Sequence, residues 1–279
     1  RDSNALEKIF TTFKPEAVIH FAGLKSVGDS VAKPITYYDV NVVGSISLIK
    51  AMTEAKCNKI VFSSSATVYG NPEYLPYDEE HPTNPVNPYG RTKLMIEDII
   101  KDWTKADANR KGIILRYFNP VGAHETGQIG EEPIGIPNNL MPYIAQVADG
   151  RRDYLNIFGN DYDTSDGTGA RDYIHVVDLA QAHVSSINQK KMNNFEVINI
   201  GTGKSTTVLA LLKSFSDISG INIKFKYLPR RNGDIAASWA DASKAYKNIN
   251  WHSTKSIKDI CEDTWRWQKK NPNGYKITD

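Results

Sequence analysis

Apolar positions in the first 125 residues fall into short unbroken blocks separated by stretches with helical spacing. Ala17-Val18-Ile19-His20-Phe21-Ala22-Gly23 is one block, closed by glycine. Lys59-Ile60-Val61-Phe62 is the next and runs into Ser63-Ser64-Ser65; Ile113-Ile114-Leu115-Arg116-Tyr117-Phe118 is the third. Blocks without polar alternation predict strands covered on both faces. Between them, a helix is expected from Asn4, with Glu7 completing a capping box, to Lys14 before Pro15. Longer helices are expected over 34–55 and, after a loop rich in proline (Pro76, Pro82, Pro85, Pro88), over 89–106. Strands separated by helices of this length predict βαβ crossovers and a parallel sheet.

After Asn119 the rhythm loosens. The glycine-rich stretch 121–137 is too long for a simple connection and reads as a binding loop. Helices are expected over 140–148, 177–187 and 208–219, with strands over 155–158, 172–175 and 196–200. Trp239, Trp251, Trp265 and Trp267 read as packing anchors of the C-terminal portion. The fold class is therefore α/β, a doubly wound parallel sheet with a smaller α/β C-terminal lobe. The first domain is expected over 1–119, with returning segments near 155–200, and the second over 120–279.

Composition removes several function classes. The 279 residues carry 34 Lys+Arg against 32 Asp+Glu, interspersed, for a net charge of +2. Nothing in that balance calls for a nucleic acid or an anionic membrane surface. No apolar run approaches the ~18 residues of a membrane span, and no signal peptide is read. Cys57 and Cys261 lie far apart with no CxxC pattern. A cytoplasmic protein with reduced thiols is the expectation. The chain opens at Arg1, within what reads as the middle of a fold, so an N-terminal piece is expected to precede it.

The strongest chemical signal is Tyr89-Gly90-Arg91-Thr92-Lys93. Positions i and i+4 share a helix face, which sets an ammonium beside a phenol. A phenol titrating near 10 is a poor base at neutral pH, and an adjacent cation favours the phenolate. Tyr-x3-Lys alone is usually ordinary helix surface; its place after a strand ending in Ser63-Ser64-Ser65 raises its weight, because ligands bind at the carboxyl ends of strands in open α/β sheets. A serine hydroxyl there hydrogen-bonds the oxygen that Tyr89 deprotonates, although the cluster alone is more often a strand-ending turn. Gly201-Thr202-Gly203-Lys204-Ser205-Thr206 imitates a phosphate loop, but Ile198 stands where that loop needs glycine, so ATP hydrolysis is rejected. The six histidines are dispersed and make no metal pattern; His175 reads as helix-start packing. Arg171-Asp172-Tyr173 and Arg230-Arg231-Asn232-Gly233-Asp234 each suit a diphosphate, and each arginine alone is more commonly a solvated salt-bridge partner.

Taken together, these residues resemble the UDP-glucose (UDP-galactose) 4-epimerase family of extended short-chain dehydrogenases/reductases. The likeness rests on 20–25 (His-Phe-Ala-Gly-Leu-Lys), 62–70 (Phe-Ser-Ser-Ser-Ala-Thr-Val-Tyr-Gly) and 87–93 (Asn-Pro-Tyr-Gly-Arg-Thr-Lys). It continues through 115–120 (Leu-Arg-Tyr-Phe-Asn-Pro), 135–143 (Gly-Ile-Pro-Asn-Asn-Leu-Met-Pro-Tyr), 171–175 (Arg-Asp-Tyr-Ile-His) and the closing 271–275. Tyr-x3-Lys marks only the superfamily; the Ser-Ser-Ser-Ala-Thr and Ile-Pro-Asn-Asn-Leu stretches are far more specific.

The resemblance implies a Rossmann-like fold, NAD as cofactor, and inversion at C4 of UDP-galactose or UDP-glucose through a 4-keto intermediate. Tyr89 would take the C4 hydroxyl proton, Ser65 would hydrogen-bond that oxygen, and Lys93 would hold the nicotinamide ribose and, with the positive nicotinamide, lower the Tyr89 pKa. Phe21, Ala22, Gly23, Leu24, Lys25, Tyr117 and Phe118 would contact the cofactor, with Asn41 on the cofactor-side helix. Asn119, Asn138, Asn139, Leu140, Asn156, Phe158, Arg171, Arg231 and Asp234 would line the nucleotide-sugar site. Lys25, Ala66 and Thr67 would lie near the sugar. A homodimer through 34–55 and 89–106 is also implied. The family opens with a Gly-x-x-Gly-x-x-Gly turn, and this sequence has no such triplet; roughly two βαβ units sharing a strand are expected before Arg1. Ser238 falls where bulk limits the sugar C2 substituent, so UDP-GalNAc and UDP-GlcNAc are expected to be accepted.

Competing readings are distinguishable. A 4,6-dehydratase usually places carboxylates after the site serine, where Ala66 and Thr67 stand here. A simple dehydrogenase would accumulate NADH. A catalytically silent module would bind UDP-sugar without nicotinamide.

Overall fold

The computed structural model describes residues 1–133, 135–137, 139–189, 193–231 and 233–275. In chain order the elements are α1 (Ser3–Phe13), β1 (Val18–His20), α2 (Val27–Ala32), α3 (Pro34–Tyr37), a π-helical turn (Tyr38–Val43), α4 (Gly44–Glu54), β2 (Lys59–Ser63) and a 3-10 turn (Ala66–Val68). Then come α5 (Pro88–Lys105), β3 (Lys111–Tyr117), β4 (Asn119–Val121), α6 (Leu140–Ala148), β5 (Leu155–Phe158), β6 (Ala170–Arg171), β7 (Tyr173–His175) and α7 (Val176–Asn188). The chain finishes through β8 (Phe195–Ile200), β9 (Thr206–Thr207), α8 (Val208–Ser219), β10 (Phe225–Leu228), β11 (Ala237–Ser238), α9 (Ser243–Ile249) and α10 (Ile257–Lys270).

Two compact units divide the described residues: unit 1 is 1–117, 182–200 and 241–251, and unit 2 is 118–181, 201–240 and 252–279. Unit 1 is built on a parallel sheet in the order β1-β2-β3-β8. Its strands are the unbroken apolar blocks, and Ile60, Phe62 and Ile114 are fully buried against Met52, Ile96 and Ile100 of the covering helices. The 34–55 stretch is helical throughout but passes through the π turn before α4. Helix α1 starts two residues earlier than the capping-box pattern places it. Asp2, not Asn4, is the N-cap and accepts from the Ala5 N–H at 3.0 Å.

Unit 2 holds three small sheets, β10-β5, β11-β6-β9 and β4-β7. Its core packs α6, α8 and α10 through Met141, Ile144, Leu211, Phe215 and Ile260. The bounds of α6, β5 and α8 coincide with those expected from the sequence. Strand β10, helix α9 and helix α10 carry no counterpart among the expected elements. Trp251 and Trp267 are buried anchors, Trp251 in unit 1 and Trp267 in unit 2.

Candidate active site

In unit 1 the local chain dictates where the chemistry sits. Asn87 caps α5, accepting from the Gly90 N–H at 2.8 Å, and Pro88 pre-sets the first turn. A Cβ at Gly90 would lie 2.8 Å from the Thr67 carbonyl oxygen, so glycine is what lets α5 approach the 3-10 turn after β2. That approach brings Tyr89 and Lys93 to the end of β2. Both are buried, at 7% and 5% exposed. The Lys93 ammonium donates to the Ser63 carbonyl at 2.8 Å and lies 4.8 Å from the Phe62 ring centroid and 5.8 Å from that of Tyr89. Ser65 caps the 3-10 turn; its hydroxyl oxygen accepts from the Thr67 N–H at 3.2 Å and the Thr67 hydroxyl at 2.9 Å.

Burial pushes the Tyr89 phenol above its ordinary range; Tyr117 and Tyr37 add to the rise and the Ser65 hydrogen bond opposes it. Lys93 itself is pushed down to about 8 by burial, against the supporting field of Glu97. In the chain by itself the ammonium is aimed at Ser63 and desolvation of the phenolate dominates; the lowering expected of Lys93 acting with the positive nicotinamide concerns the cofactor-loaded site. The resting pair is a neutral phenol beside a cation that titrates near neutrality.

Phe21, Ala22, Gly23, Leu24 and Lys25 follow β1 as an exposed strap. Phe21 is 58% exposed and its ring lies 4.6 Å from that of His183. Asn41 is buried behind the strap: it accepts from the Leu24 N–H at 2.7 Å and donates to the Leu24 carbonyl and the Thr92 hydroxyl, both at 3.1 Å. It fixes the strap to α5 from inside and offers no exposed surface. Tyr117 stands 6.3 Å from the His183 ring, whereas Phe118 is buried in unit 2. An exposed apolar strap at a strand's carboxyl end, beside a buried ammonium with one N–H on Ser63, fits the nicotinamide-ribose portion of a dinucleotide.

Unit 2 contains a cavity of about 480 Å³. Asn119, Asn139, Leu140, Asn156, Phe158, Arg171, Arg231 and Asp234 all line it, while Asn138 lies outside the described residues. Ser238 does not line it; it is buried in β11, in register with Arg171 of β6. Arg231 makes a two-point contact with Asp234, at 2.8 and 3.2 Å, and its guanidinium lies 4.7 Å from the Phe158 ring. Arg171 donates to the carbonyls of Ala170 at 2.9 Å and Ala236 at 3.4 Å. Arg230 instead pairs with Asp161 at 2.7 Å.

One lining residue, Tyr162, went unread in the sequence, whereas Asn156 was expected there. The Tyr162 hydroxyl and the Asn156 Oδ1 are buried in the cavity wall with no hydrogen-bond partner among the described residues. The Tyr162 signal was faint, a tyrosine in the turn-rich segment between Gly159 and Gly167. The Gly201-Thr202-Gly203 loop is explained by Asp172. That fully buried carboxylate accepts from the N–H groups of Thr202, Gly203 and Ala240 and from the Thr202 hydroxyl at 2.6–3.2 Å. The amides that imitate a phosphate cradle are filled by the protein's own anion. His175 faces Asp263 at 3.2 Å inside unit 2, in keeping with packing at the start of α7.

Comparison with known proteins defines the class first. Residues 1–264 match the GDP-mannose 4,6 dehydratase family model. The chain is 52% identical over 276 residues to UDP-glucose 4-epimerase of Bos taurus, covering 98% of this chain and 79% of the relative. It is 54% identical to UDP-glucose 4-epimerase GEPI48 of Cyamopsis tetragonoloba, covering 99% of this chain and 79% of that one. The crystal structure of the Bifidobacterium longum UDP-glucose 4-epimerase in complex with NAD+ and UDP superposes with a TM-score of 0.94 at 50% identity, covering 98% of this chain and 82% of that chain. This chain belongs to the UDP-glucose 4-epimerase family, with the Rossmann-type α/β fold of the extended short-chain dehydrogenases/reductases. Among the described residues, no helix is long and apolar enough to cross a membrane.

The depressed Lys93 pKa carries a stability prediction. A lysine titrating near 8 when folded, against 10.5 unfolded, binds fewer protons in the folded state between those values, so it opposes folding below pH 8 and that opposition fades as pH rises. Relative to Lys93→Met, the wild-type protein should gain about 3 kcal/mol of unfolding free energy between pH 8 and 10.5, read by urea denaturation at stepped pH. A difference that does not vary with pH would show that Lys93 is not depressed.

Proposed function

We propose that this chain catalyses the NAD-dependent interconversion of UDP-galactose and UDP-glucose by inversion at C4. The observation that carries this reading is the buried Tyr89–Lys93 pair held against the Ser63–Ser65 end of β2, in a chain of this family. Lys93 and the Phe21–Lys25 strap would hold NAD, which would supply the acceptor and donor for the C4 hydride. Tyr89 takes the proton from the C4 hydroxyl oxygen, and Ser65 donates a hydrogen bond to that oxygen as its charge develops. Lys93 presents its remaining N–H donors to the ribose hydroxyls and its charge to the phenolate. Once the 4-keto sugar has turned its other face, Tyr89 returns the proton.

In unit 2 the cavity takes the UDP portion. Arg171 and Arg231 face the diphosphate, and Phe158 and Leu140 supply apolar walls for the base. Lys25, Ala66 and Thr67 are assigned to the sugar end. A firm hold on UDP with few contacts to the hexose is what inversion needs, since the ketose must rotate between hydride transfers. The dehydratase reading is weaker: residues 65–67 supply no carboxylate for eliminating water. Acceptance of UDP-GalNAc and UDP-GlcNAc rests on the family likeness at Ser238 alone, since that side chain is buried in β11 outside the cavity lining. The buried free cysteines suit a reducing cytoplasm.

With NAD+ added, the purified protein should convert UDP-galactose to UDP-glucose without net NADH, and Tyr89→Phe should lose about 100- to 10,000-fold in kcat. The same assay with UDP-GlcNAc should also show turnover. Full activity in Tyr89→Phe would remove the phenol from its role. Because the Tyr162 hydroxyl lacks a protein partner, Tyr162→Phe should leave thermal stability unchanged yet raise the KM for UDP-galactose about 5- to 30-fold. Ile35, Val43 and Met95 are exposed apolar side chains on the two helical stretches assigned to a homodimer. Light scattering at micromolar concentration should give twice the chain mass, and a monomer would refute that assembly.

A further inference from the structure

The face of α5 that carries Tyr89 and Lys93 continues one turn further to Glu97. Glu97 is 3% exposed, and Arg116 of β3, 6% exposed, grips its carboxylate through Nε at 3.1 and 3.2 Å and Nη2 at 2.6 Å. The same carboxylate accepts from the Ser64 hydroxyl. The guanidinium of Arg116 lies 4.8 Å from the Tyr69 ring, whose hydroxyl donates to Asn199 at 2.6 Å. The end of β2 is thus tied to α5 at two successive residues: Ser63 by Lys93, Ser64 by Glu97.

A buried ion pair is weak support for a fold, because desolvation offsets most of the attraction and two apolar side chains would fill the same space. Its placement one helical turn behind Lys93 is what needs a reason. Of the charged and titratable groups facing Lys93, Glu97 and Tyr89 come from α5 and His20 from the end of β1. Burial takes His20 down to about 4, so it is neutral; Arg116 reaches this cluster through Glu97. Glu97 is the anion of the group.

We propose that Glu97, with Arg116 as its counter-ion, is a positioning residue for the epimerisation, holding Lys93 as a cation against Tyr89 and locking the Ser64–Ser65 turn to the same helix. This deepens the reading given under Proposed function and rests on it. Glu97 touches no reacting atom; it acts through Lys93 and Ser64.

The test follows the Lys93 side chain itself. In protein labelled with 13C-lysine, the Cε resonance of Lys93, assigned by its loss in Lys93→Met, is titrated against pH. Glu97→Gln should lower its midpoint by about one pH unit or more. That variant strands Arg116, whose unpaired charge adds to the fall, so Glu97→Gln/Arg116→Met is measured as well; it removes both charges, keeps the space filled, and should still lower the midpoint, by less, because Glu97 and not Arg116 acts directly on Lys93. The alkaline limb of kcat for UDP-galactose should move to lower pH in step. A midpoint unmoved in the double variant, with only thermal stability altered, would overturn the proposal and leave Glu97 a structural residue. Loss of the epimerase reading would appear separately, as absence of turnover in the wild-type protein.

Discussion

The Lys93 ammonium, withdrawn from water and set on the Ser63 carbonyl at 2.8 Å, joins β2, an inner strand of the unit 1 sheet, to the helix bearing the phenol. Its cost is desolvation, visible as a side chain that titrates near 8. Tolerating that cost requires an exact seat, and the packing of β2 against α5 supplies one. Ile60, Phe62, Ile96 and Ile100 are almost fully excluded from solvent and close-packed, so the helix cannot slide relative to the strand. A shift of one residue along α5 would turn the face by about 100° and carry both Tyr89 and Lys93 off it. The proline and asparagine at its start and the glycine at 90 fix the same register from the other end.

Unit 2 handles charge differently. Its cavity arginines are satisfied by their own chain before any ligand arrives, Arg231 by Asp234 and Arg171 by backbone carbonyls. Their geometry is thereby set in advance, which reduces the ordering that a bound diphosphate must impose. The unsatisfied groups in that wall are neutral ones, Tyr162 and Asn156, each one hydrogen bond short. Together they describe a surface whose charges are preorganised and whose neutral polar groups await a partner.

How far the sequence discloses all this depends on the range of the interaction that fixes each feature. Elements bounded by local signals read well. Helix α8 runs from the cap Thr207 to Gly220 in the left-handed conformation, and its ends coincide with the expected ones. Strand β10 is mostly exposed and mixes lysine with aromatics, so its apolar pattern is faint; its pairing with β5 is a long-range fact. The two-residue strands β9 and β11 are likewise made by their partners. In the site, the i, i+4 spacing of Tyr89 and Lys93 is legible because helix geometry alone sets it. The direction of the phenol's pKa is not, since it turns on burial, and burial is decided by residues far along the chain. Glu97 reads from sequence as one more helix carboxylate until Arg116, nineteen positions away, is seen to neutralise it.

The same separation explains Asp172. Strand alternation sends neighbouring side chains to opposite sides, so Arg171 lines the cavity while Asp172 turns inward to the Gly201–Gly203 loop. Only glycine fits at 201, where a Cβ would stand 2.5 Å from the Asp172 carboxylate and 2.7 Å from Ala240. Burial raises the Asp172 pKa, and the Thr202, Gly203 and Ala240 donors hold it down again, which keeps an anion where no ligand reaches it. That anion fastens the backbone flanking Arg171 to two other segments of unit 2. In unit 1, Glu97 stands to Lys93 as Asp172 stands to Arg171. Lys93 and Arg171 are each carried on backbone that a partnered, buried carboxylate holds from behind, whereas Arg231 meets Asp234 directly. Coulomb attraction to the ligand is then available at the cavity face without the fold depending on it.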